Sequence, residues 1–138
     1  MIGRQYPDKV LLAWGEAISG NADLKNWLMA NDFPELGLFV HALHLDAAAR
    51  EWLMAEGHPE LMALCRGAEG EAQAVEWLKN HNLAVLADMA LAADNEDEAM
   101  TRLLQEGHAL WAGLALKIRS VKNGIESRHN DWHTYNRD

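Results

Sequence analysis

The chain has 138 residues, a formal net charge of −9 and an apolar fraction of 49%. This length suits one domain and this apolar content can build a core, which excludes a wholly disordered chain. The acidic balance argues against a protein that coats a nucleic-acid backbone, and no apolar run approaches the roughly 18 residues of a membrane-spanning helix. We therefore expect neither a nucleic-acid nor a membrane partner.

A Trp-Leu pair recurs every 25 residues along the chain. It stands at residues 27–28, 52–53 and 77–78, and the leucine returns without its tryptophan at Leu103. Two further columns keep this spacing: Leu11, Leu36, Leu61, Leu86, Trp111, and Trp14, Phe39, Leu64, Met89, Leu114. A fixed period of this length is typical of stacked repeats. The columns indicate about five units, of which the first and the last are atypical.

Each unit is predicted to form two short helices. The first stretch opens on Pro-Glu-Leu, as at Pro59, where proline loses no needed hydrogen bond and glutamate suits the helix dipole. Its apolar residues follow the spacing of one helix face: Leu61, Leu64, Cys65 and Ala68. The second stretch reads Ala-Val-Glu-Trp-Leu over residues 74–78. No stretch alternates apolar and polar residues over the length of a strand, so we expect no sheet.

These short helices must stack on one another to be stable. A helix of about ten residues is marginal alone in water, and stacking buries the apolar face that each one carries. The sequence therefore predicts an all-α fold, an α-solenoid of about five stacked helix pairs with a longer C-terminal capping helix. At roughly 8–10 Å per layer we expect an elongated block about 40–50 Å long. The repeat domain is predicted over residues 1–128, followed by a polar tail over residues 129–138.

The closing helix is predicted to run from Ala109 to about Glu126 without an interrupting proline or polar turn. Residues 117–138 have a net charge of +2, whereas the rest of the chain has −11. A polar terminal unit of different charge is what a capping repeat requires. The same contrast would let copies of the chain associate head to tail, so a self-assembling structural protein is one alternative function.

The unit Pro-Glu-Leu-x-x-Leu-x-x-Ala, a short turn and Ala-x-x-Trp-Leu-x-x-x-Gly resembles the helix pair of ankyrin repeats. The likeness is best over residues 59–82 and extends over about residues 10–126. Ankyrin units have about 33 residues, a Thr-Pro-Leu-His signature and a hairpin. The 25-residue unit here lacks the signature and is shorter by about the length of that hairpin. It thus resembles a hairpin-less, ankyrin-like repeat, as in small bacterial repeat proteins. The resemblance implies a protein that binds other proteins.

The first-stretch helices have one side whose chemistry varies between units. One such column reads Glu16, His41 and Arg66 in successive units. Varied columns are typical of a solvated face, which is also where a repeat protein presents its specificity. The leading hypothesis is a non-catalytic module without a cofactor that binds a protein or peptide. The candidate partner-binding residues are Glu16, His41, His44, Arg66, Glu69, Asp88 and Asp94.

A metal site is the remaining alternative. His129 and His133 stand one helical turn apart, and Glu126 precedes them by about one turn. Two imidazoles and a carboxylate could bind zinc, which would make the protein a metal-dependent hydrolase. In zinc proteases a glutamate follows the first histidine, but Asn130 stands here. We therefore favour exposed histidines without a metal and do not expect an enzyme.

The tryptophans of the Trp-Leu pairs, Trp27, Trp52 and Trp77, are predicted to pack in or near the core, because each recurs at the strict repeat spacing. Cys65 occupies an otherwise apolar column, which predicts a buried and inert thiol. As the single cysteine, it cannot form an internal disulfide. With no signal-peptide pattern, this favours a cytoplasmic protein.

Overall fold

The structure is a computed structural model that describes the backbone of residues 5–135 and the side chains of residues 5–128. In this part the chain forms nine α-helices and no strand: α1 (Asp8–Ile18), α2 (Ala22–Ala30), α3 (Pro34–Leu43), α4 (Ala47–Ala55), α5 (Pro59–Ala68), α6 (Ala72–Asn80), α7 (Ala84–Ala93), α8 (Asp97–Gln105) and α9 (Ala109–Tyr135). Helices that are neighbours in the chain pack against each other. The predicted all-α, solenoid-like fold with a longer C-terminal helix is confirmed, and α9 continues past Glu126.

A left-handed residue ends each of the eight short helices. The second residue after each helix has a φ between 60° and 113°. Glycine, asparagine and aspartate adopt this conformation with little strain, and they fill seven of the eight positions. The eight residues are Gly20, Asp32, Leu45, Gly57, Gly70, Asn82, Asn95 and Gly107. The left-handed residues recur at the same two positions in each of the four units that contain two short helices. These turns therefore fix the helix lengths and the 25-residue period.

The first helices of the five units form a closed ring. Each of α1, α3, α5 and α7 contacts the next in this order, and α9 contacts both α7 and α1. We call these five the inner helices. The second helices, α2, α4, α6 and α8, are the outer helices, and each packs against its own inner helix and the following one. The outer helices therefore cover four of the five seams between neighbouring inner helices.

The repeat columns form the core of this ring. The five residues of the column that begins at Trp14 are at most 2% exposed: Trp14, Phe39, Leu64, Met89 and Leu114. Among the outer helices, each leucine of the Trp-Leu column has no exposed surface: Leu28, Leu53, Leu78 and Leu103. Equivalent residues therefore occupy equivalent environments, as a stacked repeat requires.

The prediction that the tryptophans of these pairs pack in or near the core is confirmed for two of the three. Trp27 is 42% exposed, so its predicted core position is wrong, whereas Trp52 and Trp77 are half-buried. Each half-buried ring stacks on a histidine, with 5.7 Å between the centroids of Trp52 and His58. An outer helix buries only a narrow stripe, and the leucine occupies that stripe. The residue before the leucine is rotated by about 100° and lies on the helix flank.

The expected elongated block is wrong, because the two ends of the array meet. Lys117 Nζ of α9 donates to Ser19 Oγ of α1 over 3.4 Å and lies 3.7 Å from Glu16 Oε1. The Lys117 side chain lies against Gly15 of α1, since a Cβ atom at Gly15 would lie 3.1 Å from Lys117 Cδ. The inner helices pack directly on one another, and the outer helices lie further from the axis of the ring. Each unit is therefore rotated relative to the preceding one, and five units close the ring.

The middle of α9 caps the end of α7. Arg119 Nε donates to the carbonyl oxygen of Ala92 over 2.8 Å, and Lys122 Nζ donates to Asp94 Oδ1 over 2.9 Å. A cationic side chain at the C-terminus of a helix satisfies its last carbonyl groups and opposes the negative end of the helix dipole. These two basic residues therefore attach α9 to the C-terminal end of α7.

The different burial of the Trp-Leu residues gives a test of this packing. Truncation of Leu53 to alanine should lower the free energy of unfolding by about 3 kcal/mol, because it leaves a cavity in a sealed seam. Trp52→Ala should lower it by only about 1 kcal/mol, because the indole is half-buried against His58. Urea denaturation measures both losses. A larger loss for Trp52→Ala than for Leu53→Ala would contradict this description of the outer layer.

Candidate functional site

Most of the predicted partner-binding residues are held in ion pairs within the chain. Five of the seven have an oppositely charged neighbour, with nitrogen–oxygen distances as follows: Glu16–Lys117 3.7 Å, Arg66–Glu71 3.5 Å, Glu69–Arg50 2.6 Å, Asp88–Arg102 2.8 Å and Asp94–Lys122 2.9 Å. They are distributed over α1, α5 and α7 and the turns that follow α5 and α7. A partner that used these side chains would compete with existing pairs.

The two histidines of the predicted set differ in environment. His41 is partly buried beside Met29 and Trp52, whereas His44 is exposed at the end of α3. Partial burial lowers the pKa of His44, and the charges of Arg128 and His41 act in the same direction. His41 is therefore close enough to disfavour the protonation of His44.

The zinc hypothesis falls outside the part of the chain with described side chains. His129 and His133 lie on the last turns of α9, and their side chains are not among residues 5–128. Within those residues, no group of three histidine, cysteine or carboxylate side chains is arranged to hold a metal ion. Between residues 5 and 135, no helix combines the length and the apolar character needed to cross a bilayer.

A groove opens where α1 meets α9, and we call it the seam groove. It has a volume of about 440 Å3. Its floor is largely apolar, and Lys9 and Lys117 stand among the residues that line it. The apolar lining includes Leu12, Ala13, Leu24, Leu110 and Gly113. This is the fifth seam of the ring and the one that no outer helix covers in the described chain.

The exposure of Leu12 indicates that the seam groove lacks an outer helix in the described chain. It is 58% exposed, whereas its equivalents in the other four units are all buried: Gly37, Met62, Ala87 and Ala112. Those positions lie under the preceding outer helix. A Cβ atom at Gly37 would meet Met29 of α2, for example, and Met54 of α4 lies beside Met62. Leu12 is therefore exposed because the outer helix that would precede α1 in the closed ring is absent.

The fifth unit does not provide that helix from its own sequence. At the positions equivalent to Ala99 and Leu103 of α8, the chain has Gly124 and Arg128. These residues continue α9 instead of forming a separate outer helix. The small buried residues of the inner helices, such as Ala92, are likewise replaced by Lys117 at the place where a fifth outer helix would rest.

A second cavity lies near the N-terminal ends of α5, α7 and α9, and we call it the mouth pocket. Its volume is about 420 Å3, within the range of pockets that hold small molecules. Aromatic and aliphatic side chains form most of its wall, and Glu60 contributes a carboxyl group. The other lining residues include Tyr6, Trp14, Leu61, Leu86 and Trp111.

The two glutamates of the Pro-Glu-Leu stretches are buried in this region. Glu35 is 1% and Glu60 6% exposed, and Tyr6 donates its hydroxyl to Glu35 Oε2 over 3.2 Å. From the sequence, these glutamates were interpreted only as charges that suit a helix dipole. The repeat column of these two glutamates nevertheless indicates burial, because the equivalent positions of the other units are apolar: Val10, Val85 and Leu110.

Two polar atoms of the mouth pocket residues have no hydrogen-bond partner in the described chain. They are the Trp14 Nε1 donor and the Glu60 Oε2 acceptor, both closed to solvent. The other oxygen of Glu60 lies 3.8 Å from His58 Nδ1. Burial raises the pKa of Glu60, and the nearby Glu35 carboxylate adds to this rise. The pocket therefore holds a carboxyl group that is poorly solvated and incompletely bonded.

Cys65 is buried on α5, as predicted. Its Sγ donates to Glu69 Oε1 over 3.4 Å, and burial raises the pKa of the thiol to about 12. Since the thiolate is the nucleophilic form, a thiol with this pKa is unsuited to covalent catalysis.

Comparison of the chain with models of protein families, with curated proteins and with solved structures found no match. The resemblance to ankyrin units therefore depends on the repeat pattern alone.

Glu60 gives a pH test of the mouth pocket. Above about pH 4.5, the ordinary value for glutamate, the unfolded chain releases a proton that the folded chain retains. Stability should therefore fall as the pH rises through this window, until the folded-state pKa is passed. Glu60→Gln removes this fall and should raise the free energy of unfolding at pH 7 by about 1 kcal/mol.

Urea denaturation of the wild-type protein and the variant at pH 4 and pH 7 measures this difference. The exposed Glu76→Gln on α6 is the matched control and should change the stability little at either pH. A Glu60→Gln variant that is less stable than the wild type at pH 7 would show that the buried carboxylate stabilises the fold.

Cys65 gives a test of burial. We expect iodoacetamide at pH 8 to leave the thiol of the folded protein unmodified, because both its pKa and its burial oppose attack. In urea the same thiol should be alkylated within minutes. Mass spectrometry measures the modified fraction, and rapid alkylation under native conditions would show that α5 opens locally.

Proposed function

We propose that this protein is a non-catalytic binding module that accepts an amphipathic helix of a partner protein in the seam groove. The occupant would take the place of the missing fifth outer helix. The observation that carries the proposal is the exposure of Leu12 at a position buried in every other unit.

The protein's own outer helices indicate the chemistry of the occupant. Each has nine residues and places one leucine fully in its seam, with an alanine one turn earlier in three of the four. The groove offers Leu12 and Leu110 to an apolar face of this kind, and Gly113 leaves room above α9, because a Cβ there would meet no atom within 4 Å. The partner segment is therefore a short helix with a leucine and small residues on one face.

Charge favours an acidic helix. Lys9, Lys117 and Glu16 line the groove, and Glu16 is paired with Lys117, so these three residues leave one net positive charge. Acidic residues on the flanks of the partner helix would meet Lys9, which speeds encounter and disfavours basic partners.

A peptide copied from the protein itself tests the proposal. The peptide has the sequence of residues 46–57, which form α4 with its Asp46 cap, and it carries blocked ends and a fluorophore. We expect it to bind the intact protein with a dissociation constant on the order of 100 μM, because so short a helix is marginal in water. Fluorescence anisotropy measures the affinity.

Two variants locate the binding. Leu12→Asp should weaken binding at least about tenfold, because it places a charge on the apolar floor. Gly113→Gln should weaken it similarly by filling the groove, without loss of stability, since glutamine is the better helix former. Leu104→Asp is the matched control: Leu104 is 56% exposed on α8, away from the groove, and its replacement should leave the affinity unchanged.

Three results would contradict the proposal. The first is that the peptide does not bind at millimolar concentration. The second is that the Leu12→Asp and Leu104→Asp variants bind it equally well. The third is that the protein alone sediments as a dimer that Leu12→Asp dissociates, which would show that the groove takes a second copy of the chain instead of a partner helix.

A further inference from the structure

We propose that the mouth pocket is a binding site for a small apolar amine whose ammonium group pairs with the Glu60 carboxylate. This site is separate from the seam groove, which is lined by other residues. The proposal therefore does not depend on the helix-binding function.

The composition of the wall defines the ligand's body. Trp111 provides an aromatic face and Leu83 and Leu86 provide aliphatic surface, while Trp14 and Leu61, at most 4% exposed, close the wall from behind. A volume of about 420 Å3 accommodates a molecule with one ring or a short branched chain. Such a wall favours an apolar body over a sugar or a nucleotide, whose many hydroxyl or phosphate groups would be left without partners.

The charge of the wall defines the ligand's head group. Glu60 is the one ionisable acid or base among the described lining residues apart from the phenol of Tyr6, so the pocket offers a negative group and no described cation. An ammonium group is attracted both by this carboxylate and by the faces of nearby indole rings. A carboxylate ligand would meet like charge.

The two unpartnered atoms support a ligand instead of a purely structural role. A buried donor or acceptor left without a hydrogen bond costs about 1–3 kcal/mol, and both Trp14 Nε1 and Glu60 Oε2 lack a partner in the described chain. Neither atom is open to the empty cavity, so a ligand reaches them only by displacing the side chains that cover them. An amine donor would then pair with Glu60 Oε2, and an adjacent hydroxyl or carbonyl oxygen would accept from Trp14 Nε1. Uncompensated polar atoms in the wall of an apolar cavity are a feature of binding sites.

The raised pKa of Glu60 fits this assignment. Burial disfavours the charged carboxylate while the pocket holds no ligand, and an ammonium group beside it would favour the charged form. Three other ionisable groups act on Glu60 or lie near it: Glu35 raises its pKa, the positive charge of the chain's N-terminus lowers it, and His58 Nδ1 lies 3.8 Å from Glu60 Oε1.

Matched small molecules test the proposal with the intact protein. Phenylalaninol carries an amine and a hydroxyl, phenylpropanol keeps the hydroxyl and lacks the amine, and phenylpropanoate carries a negative charge instead. The indole N–H signal of Trp111, assigned by Trp111→Phe, reports occupancy in NMR titrations because this ring lines the pocket. We expect phenylalaninol to bind about tenfold more tightly than phenylpropanol and phenylpropanoate to bind least.

Two variants show which groups are responsible. Glu60→Gln, which retains the shape of the side chain, should reduce the preference for phenylalaninol over phenylpropanol to about one, while the exposed control Glu76→Gln should keep it tenfold. Trp14→Phe removes the indole donor, and it should abolish any preference for phenylalaninol over phenylpropylamine, which lacks the hydroxyl. Circular dichroism confirms that each variant is folded.

The proposal is overturned if no amine shifts the Trp111 signal at millimolar concentration. It is also overturned if the wild-type protein binds phenylalaninol and phenylpropanol equally, or if the preference for the amine survives in a folded Glu60→Gln variant.

Discussion

The contact between α1 and α9 is the constraint on which the rest of this structure depends. It closes five inner helices into a ring and so creates five seams, while residues 5–135 supply four outer helices. A short helix is stable only when its apolar face is covered by neighbours. Four seams satisfy this requirement within the chain. The fifth leaves Leu12 exposed, and the proposed helix-binding site follows directly from this mismatch in number.

Helix polarity divides the charges of the protein between the two ends of the ring. At the N-terminal ends of α3 and α5, Glu35 and Glu60 lie where the helix dipoles are positive. At the C-terminal end of α7, Arg119 and Lys122 meet the negative pole and its last carbonyl groups. The basic closing segment and the acidic body are therefore matched within one chain, so that much of the charge contrast is already neutralised internally.

The two openings of the ring differ in chemistry because they arise differently. The seam groove is an uncovered helix surface, apolar in the middle and flanked by lysines, and such a surface suits another helix. The mouth pocket is a partly open cavity whose lining residues carry a carboxyl oxygen and an indole N–H without partners in the described chain, and such a cavity suits a small molecule. Of the seven predicted partner-binding residues, Glu16 alone lines either opening, and it is held in an ion pair with Lys117.

The sequence by itself determined the units, their two helices and the residues that pack in the core, because period and apolar spacing are local properties of the chain. Leu53, Leu64 and Cys65 were all assigned to the interior from their columns. Closure of the array became visible only in the folded protein, because it is the sum of the rotations between five successive units and no single unit encodes it. For the same reason neither the exposure of Leu12 nor the burial of Glu60 was predicted from the sequence. Their environments depend on which helix lies beside them after closure, and the contact that decides this joins residues about a hundred positions apart, as Lys117 and Ser19 show.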